Sequence, residues 1–567
     1  MQYPHTKAVR LSLLVLLICA AFAVVGGVTA QSSGEKVLTT GINQVGGDPE
    51  TLDPNLAQAS QELAVIQEMF PGLTVQDTAT GDLKPGIASS WDVSADGKTY
   101  TYHLIQNIPW VHWNSQTNQV EQVKDSSGNP KYVTASDLVY SWQRVLDPKT
   151  ASPYAYVPAD FVVGGDDVEN GKADPSTLAV KAVDDWTFQV TAPDAVSFIP
   201  NIDGLWPTDP VPQDAIEQYG DQWTEPGNME SYGPFVLSDW QHDASITLVK
   251  NPFWPGITTV PQPKLDKIVY TLLDPAGQFA NFQAGTLDAS AVPVEQIDAI
   301  KADATLSKEY YVGTSPCTYY VGFNVTQPVV SDVHLRRAIS FAVDRQSIVD
   351  NVTKGGQVPA QWFARPGLLA APTLDSNPDL GIKYDPDQAK SELTLALKDL
   401  GYSSAADVPA ITLAYNDSSG HAAIMAAIQQ QVKDTLGLNL QLSAREPTTY
   451  FSSLENGGSP QMWRAGWCQD YPDADDFDRV VFRSDSTQNN ALFKSADFDK
   501  LVDQARAETD TAKRQALYAQ AEDILVNQQA AIIPIYWYTT LELTKSNIER
   551  TYSVTGQEEY ATWDIGS

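Results

Sequence analysis

Apolar residues recur along this chain at two spacings, one helical and one strand-like, and the two alternate. Helical spacing marks Gln61–Phe70 (Leu63, Ile66, Met69, Phe70). It also marks Ser331–Arg345, N-capped by Ser331 with Val333, Leu335, Ile339, Ala342 and Val343 on one side. Helices over Asp387–Leu400 and His421–Leu436 are closed by Gly401 and Gly437, and a helix from Phe279 ends on Gly285. Thr134-Ala-Ser-Asp137 opens a helix like a capping box with Asp in place of Glu, and Asp147-Pro148 stops it. Phe498–Gln528 supplies two acidic helices. Strands are expected from Val37, over Thr99–Leu104 behind an Asp96-Gly97 turn, and at Asp185–Val190 and Ile268–Leu273. Others fall at Cys317–Asn324, Ile411–Tyr415, Leu438–Leu442 and Ile532–Tyr538. Helices and strands that alternate in this way predict an α/β protein.

At 567 residues the chain exceeds one core, so two or three domains or lobes are expected. Hydrophobic residues at 43% and aromatics at 10% describe a packed protein, not a disordered one. A net charge of −34 argues against nucleic acid, whose phosphates need clustered Lys and Arg. It fits an acidic, soluble exported surface.

Export is written at the N-terminus. Lys7 and Arg10 precede the apolar run Leu11–Val25, and Val28-Thr29-Ala30 offers a small-residue cleavage site, so residues 1–30 read as a signal peptide. Cys19 follows Ile18, where a lipoprotein signal wants a small residue. An uncleaved anchor at the outer membrane face is the rival, because Leu11–Val28 approaches a membrane-spanning length. Beyond the signal only Cys317 and Cys468 remain, and they are either bridged or two buried thiols.

The densest chemistry lies in Trp463–Tyr471, which reads Trp-Arg-Ala-Gly-Trp-Cys-Gln-Asp-Tyr. Arg464, Trp467, Cys468 and Asp470 stand around Gly466, as at a strand end whose backbone meets a ligand. Period two puts Arg464, Gly466, Cys468 and Asp470 on one side, with opposite charges roughly 20 Å apart, a span that suits a zwitterion. The competing reading is a pair of surface charges on an edge strand. Tyr415–His421 is a strand end, turn and helix start, where free N–H groups favour an anion. The acidic run Asp473, Asp475, Asp476, Asp478 lacks the Gly and Glu of a calcium loop and reads as a solvated loop. No metal, cofactor or catalytic motif is found, so neither a cofactor nor enzyme activity is expected.

Together the Leu52-Asp53-Pro54 turn, the Ser90-Trp91 block, Thr150-Ala-Ser-Pro-Tyr154, Gly233-Pro-Phe235 and Trp463–Tyr471 resemble the peptide-binding family of extracytoplasmic solute-binding proteins that serve ABC importers. The oligopeptide-binding branch is nearest. The resemblance implies a two-lobed, periplasmic-binding-protein-like (type II) α/β fold with an additional small domain. It places lobe I at 31–70, 213–316 and 540–567, the additional subdomain at 71–212, and lobe II at 317–539. It implies an oligopeptide ligand, membrane permease subunits as partners, a monomer, and a Cys317–Cys468 disulfide. By the same correspondence Asp470 receives the peptide α-ammonium, Arg464 faces the carboxylate end, and His421 helps hold that end. Tyr154 reaches the peptide backbone and Gln58-Ala59-Ser60 lies along it, with Trp467, Gly466, Cys468 and Tyr538 also facing the ligand. From the residues alone, Tyr154 reads equally well as a packed core tyrosine, His421 as structural and Gln58–Ser60 as an ordinary loop. Two departures bear on peptide length and pockets. Lys354 stands one place off the family's lysine, whose position is Thr353, and Pro447 lies near the place of a family tryptophan. The alternatives are another solute (a dipeptide, an oligosaccharide or a metal chelate) and, from another class, an exported hydrolase.

Overall fold

This computed structural model describes residues 34–43, 48–455 and 457–566; the signal segment read over residues 1–30 lies outside them. An 11-stranded mixed sheet organises the chain. In space it runs Phe235–Gln241, Ser245–Lys250, Lys267–Leu273, Val37–Asn43, Ala289–Ala291, Ile532–Thr544, Tyr310–Phe323, Met462–Cys468, Ile411–Asn416, Leu440–Arg445. Val358–Pro359 adds to Ile532–Thr544. Val37–Asn43 is parallel to Lys267–Leu273, and Ile411–Asn416 is parallel to both its neighbours. A separate four-stranded antiparallel sheet joins Ala88–Val93, Thr99–Leu104, Thr187–Thr191 and Val180–Asp184.

The two central strands are longer than their apolar runs predict. Tyr310–Phe323 pairs antiparallel with Ile532–Thr544, and the register shifts between Thr314 and Thr318. Only the halves with continuous burial, Cys317–Phe323 and Ile532–Trp537, carry a hydrophobic signal. The other halves mix apolar residues with Thr, Ser and Gly and are buried only in places, which hides them from a pattern search.

Packing follows the strand period. Tyr319, Val321 and Phe323 enter one apolar cluster with Leu335, Ile339, Ile428 and Val432 of the flanking helices. Tyr320, pointing the other way, enters a second with Phe363, Trp463 and Phe477. A third cluster joins Leu38, Ile268 and Tyr270 to Tyr102, Trp142 and Phe188, and Tyr471 inserts into it from a distant part of the chain.

Most helices stop where the sequence says. Gly285, Gly401 and Gly437 each close one in the left-handed conformation, at φ 81°, 76° and 70°. Thr134 and Asp137 form the expected capping box. Several boundaries differ. The first helix covers only Ser60–Ile66, because Met69 and Phe70 are buried from a turn rather than from helix. The cap of Val333–Ala342 is Asp332, not Ser331, since its carboxylate accepts the Leu335 N–H at 2.8 Å. The strand from Met462 ends at Cys468, so Asp470 lies in the turn beyond it. That strand is interior to the sheet, flanked by Tyr310–Phe323 and Ile411–Asn416, which removes the edge-strand reading.

The largest correction concerns the acidic run. Asp473, Asp475, Asp476 and Asp478 are all fully buried, not solvated. Asp473 caps the helix Ala474–Phe482 and takes both Arg514 Nη groups, at 2.7 and 2.8 Å. Asp475 accepts from Arg479, Tyr471 and Tyr518. Arg514 and Tyr518 lie some forty residues downstream, so no local pattern announces them.

Candidate functional site

The strand Met462–Cys468 joins the two ends of the site. Near its middle, Arg464 is 8% exposed. Its Nη2 donates to the Tyr538 hydroxyl at 2.8 Å and its Nη1 to Asn416 Oδ1 at 3.2 Å, while the guanidinium lies 4.5 Å over the Tyr319 ring. Tyr319 and Tyr538 come from the two central strands, and Asn416 ends its own strand. The Tyr319 hydroxyl meets His421 Nδ1 at 3.1 Å, in the first turn of the helix Ser419–Leu436. Burial first, and the Arg464 charge second, push the His421 imidazole down to about 3, so it is neutral. Arg464 Nε is buried without a partner, and among the described residues Arg464 makes no ion pair. The cluster is therefore a desolvated cation edged by aromatic and neutral hydrogen-bonding groups.

At the other end, the Asp470 carboxylate accepts from Tyr154 at 3.1 Å and from Tyr156 at 2.9 Å. Its backbone N–H donates to Asp476 Oδ2, which also takes Trp467 Nε1, both at 3.1 Å. Tyr154 packs against Trp206 with ring centroids 4.8 Å apart, and Trp206 Nε1 donates to the Ala57 carbonyl at 3.0 Å. Gln58, Ala59 and Ser60, which follow Ala57, are thereby tied to the Asp470 end. The Gln58 and Ala59 N–H groups both donate to Glu62 Oε2, at 2.8 and 2.9 Å. This is the buried capping carboxylate of the first helix, so these N–H groups serve the turn. Asp470 has no cationic partner among the described residues, and burial lifts its carboxyl to about 6 although both tyrosine hydroxyls oppose the rise.

Cys468 and Cys317 face each other in register and are joined by a disulfide, with Cα atoms 4.0 Å apart. The bridge lies at the register break of the long strands and fixes the end of the Asp470 turn. Gly466 is open between the two ends; a Cβ there would come within 3.1 Å of the Tyr538 hydroxyl.

The expected residues thus divide into an anionic group (Asp470, Tyr154, Trp467, Cys468, with Gln58–Ser60 through Trp206) and a cationic group (Arg464, His421, Tyr538). Lys354 joins neither: its ammonium bonds Asp298 at 2.6 Å from a left-handed turn. Tyr156, Trp206, Asp476, Tyr319 and Asn416 are participants that the sequence reading missed. Tyr156 had a usable signal, an aromatic two residues beyond Tyr154.

The family model for bacterial extracellular solute-binding proteins, family 5 (middle), matches residues 82–516. The periplasmic oligopeptide-binding protein OppA of Escherichia coli (strain K12) is 32% identical over 506 residues, covering 88% of this chain and 87% of that protein. The probable deoxycholate-binding periplasmic protein YgiS of the same strain is 34% identical over 504 residues, covering 88% of each. Among solved structures, the Escherichia coli murein tripeptide binding protein MppA superposes with a TM-score of 0.78 at 28% identity, covering 94% of this chain and 99% of that one. Haemophilus influenzae OppA in complex with the peptide RPPGFSPFR gives 0.76 at 27%, covering 94% and 99%. The unliganded open form of MppA gives 0.71 at 27%, covering 94% and 98%.

Proposed function

The chain belongs to the family 5 bacterial extracellular solute-binding proteins, and from that membership we propose that it captures oligopeptides outside the cytoplasm and hands them to the permease subunits of an ABC importer. One observation carries the ligand class. The strand and the turn after it hold a buried cation, Arg464, and a half-buried anion, Asp470, neither of them ion-paired among the described residues. A buried charge without a counter-charge is costly, and a ligand bearing both charges relieves both ends at once. A peptide's α-ammonium and terminal carboxylate are such a pair. Between the ends, main-chain groups hydrogen-bond the peptide as an added strand would, which does not depend on side-chain identity.

In this reading, lobe I (31–70, 213–316, 540–567) with its subdomain (71–212) closes by hinge motion onto lobe II (317–539) around the ligand. The protein works as a monomer without catalysis. Residues 1–30 direct export, with cleavage after Ala30 giving a free protein and retention giving one tethered at the outer face.

A second reading comes from the relative named for deoxycholate. A bile-acid carboxylate fits Arg464 but brings no cation to Asp470, so the peptide reading is preferred. Native mass spectrometry of the protein as purified, followed by calorimetry with trialanine and with deoxycholate, separates them. A retained peptide and trialanine binding are expected. Deoxycholate binding with no response to peptides would replace the proposal.

A further inference from the structure

Four residues beyond Tyr156, Asp160 follows the short helix Tyr156–Ala159 and joins two distant parts of the chain. Its Oδ2 accepts from Arg479 Nη2 and, at 2.6 Å, from Arg506 Nη1, across 319 and 346 residues of sequence. Its backbone carbonyl takes Arg506 Nη2 at 2.9 Å. The Arg506 guanidinium lies 4.7 Å over the Phe161 ring. Beside it, Tyr471 stacks on Phe198 with centroids 5.2 Å apart and meets Phe161 edge-on at 5.8 Å. Burial alone would raise the Asp160 carboxyl, but the two guanidiniums outweigh it and hold the group below its usual range.

Arg479 and Asp160 can part without stranding either charge. Arg479 keeps a second carboxylate on its own helix, Asp475, at 3.0 Å, so it stays paired when Asp160 leaves. The Asp160 side chain is 38% exposed, so water can take over its solvation. The Tyr471–Phe198 rings are stacked at 13° and fully buried, so parting them would expose apolar surface.

We propose that Asp160, with Arg479 and Arg506, is a charge clasp holding the two lobes shut, so that it sets how long a peptide stays bound without touching the peptide. The clasp rests on the two-lobed, peptide-capturing reading above. Asp160 is then a positioning residue, distinct in its effects from Asp470. Loss of one partner of a rim-exposed pair is small, and a like charge in its place costs more.

The test uses the full exported protein and the variants Asp160→Asn and Asp160→Lys. Affinities and dissociation rates are measured for trialanine and N-acetyl-trialanine, and the radius of gyration by small-angle scattering with and without peptide. Asp160→Asn is expected to weaken binding about 3- to 10-fold, through faster dissociation. Asp160→Lys should do so by more than about 30-fold, since three cations then meet. Both peptides should lose by the same factor, which a contact to the ammonium would not give, and the Lys variant should scatter as a more expanded particle. Unchanged dissociation and unchanged scattering in Asp160→Lys, with its thermal transition intact, overturns the clasp. Wild-type protein that binds no peptide would refute the ligand reading instead, and scattering of the ligand-free pair would still decide the clasp.

Discussion

Replacing Asp470 by Asn removes the anion while keeping a side chain of the same shape between Tyr154 and Tyr156. In the ligand-free protein this carboxyl titrates near 6, because burial raises it and the hydroxyls at 3.1 and 2.9 Å only partly offset the rise. A docking ammonium needs the ionised form. The Asp476 carboxyl beside it is raised too, so the two titrate as a pair, and wild-type affinity for a free peptide should fall as pH drops from 7 to 5. At pH 7, removing one partner of a desolvated ion pair costs ~2–5 kcal/mol, part of it from the stranded ammonium. That is roughly 30-fold or more in Kd at ~1.4 kcal/mol per decade. An N-acetylated peptide has no ammonium to strand, so it should bind both proteins almost equally and with little pH dependence. Calorimetry of both proteins with trialanine and N-acetyl-trialanine at pH 5 and 7 closes a double-mutant cycle. The ligand-free protein should respond in the opposite sense. A carboxyl raised above its unfolded value lowers stability as pH climbs from about 4 through 6. Asp470→Asn should therefore be more stable at pH 7 by roughly 1–3 kcal/mol and no different below pH 4. Equal losses for free and acetylated peptides would refute the reasoning and leave Asp470 as a residue of the fold.

Three further outcomes are expected. Arg464→Gln should weaken peptides with a free carboxylate roughly 30-fold or more and spare C-terminal amides, by calorimetry on the matched pair; the neutral His421 should add no pH step between 5 and 8. Opening the Cys317–Cys468 bridge, which spans 151 residues, should lower stability by about 5 kcal/mol in the chain-entropy model, read from denaturant melts of Cys317→Ser/Cys468→Ser; an unchanged midpoint would count against that model here. Arg514→Ala should cost about 3–5 kcal/mol because it strands the buried Asp473, whereas replacing both by apolar residues of similar volume should cost far less.

Much of the architecture is local and was therefore legible in the sequence. Helix ends at Gly285, Gly401 and Gly437 follow from the left-handed turn that glycine tolerates, and the Thr134–Asp137 cap from hydrogen bonds three residues apart. The α/β class follows from alternating periods, whereas period two does not place Asp470, which lies in the turn after the strand. What the sequence could not supply is the set of distant partners that decides each charge's state. Asp473 and Asp475 look solvated until Arg514 and Tyr518 arrive from another helix. Lys354 gives no sign in the sequence of its exposed pairing with Asp298. Asp160 carries no local signal of the two arginines, more than three hundred residues away, that meet it. Periodicity fixes which way a side chain points within its own element, but desolvation and pairing belong to whatever folds against that face. Only the tertiary structure decides those.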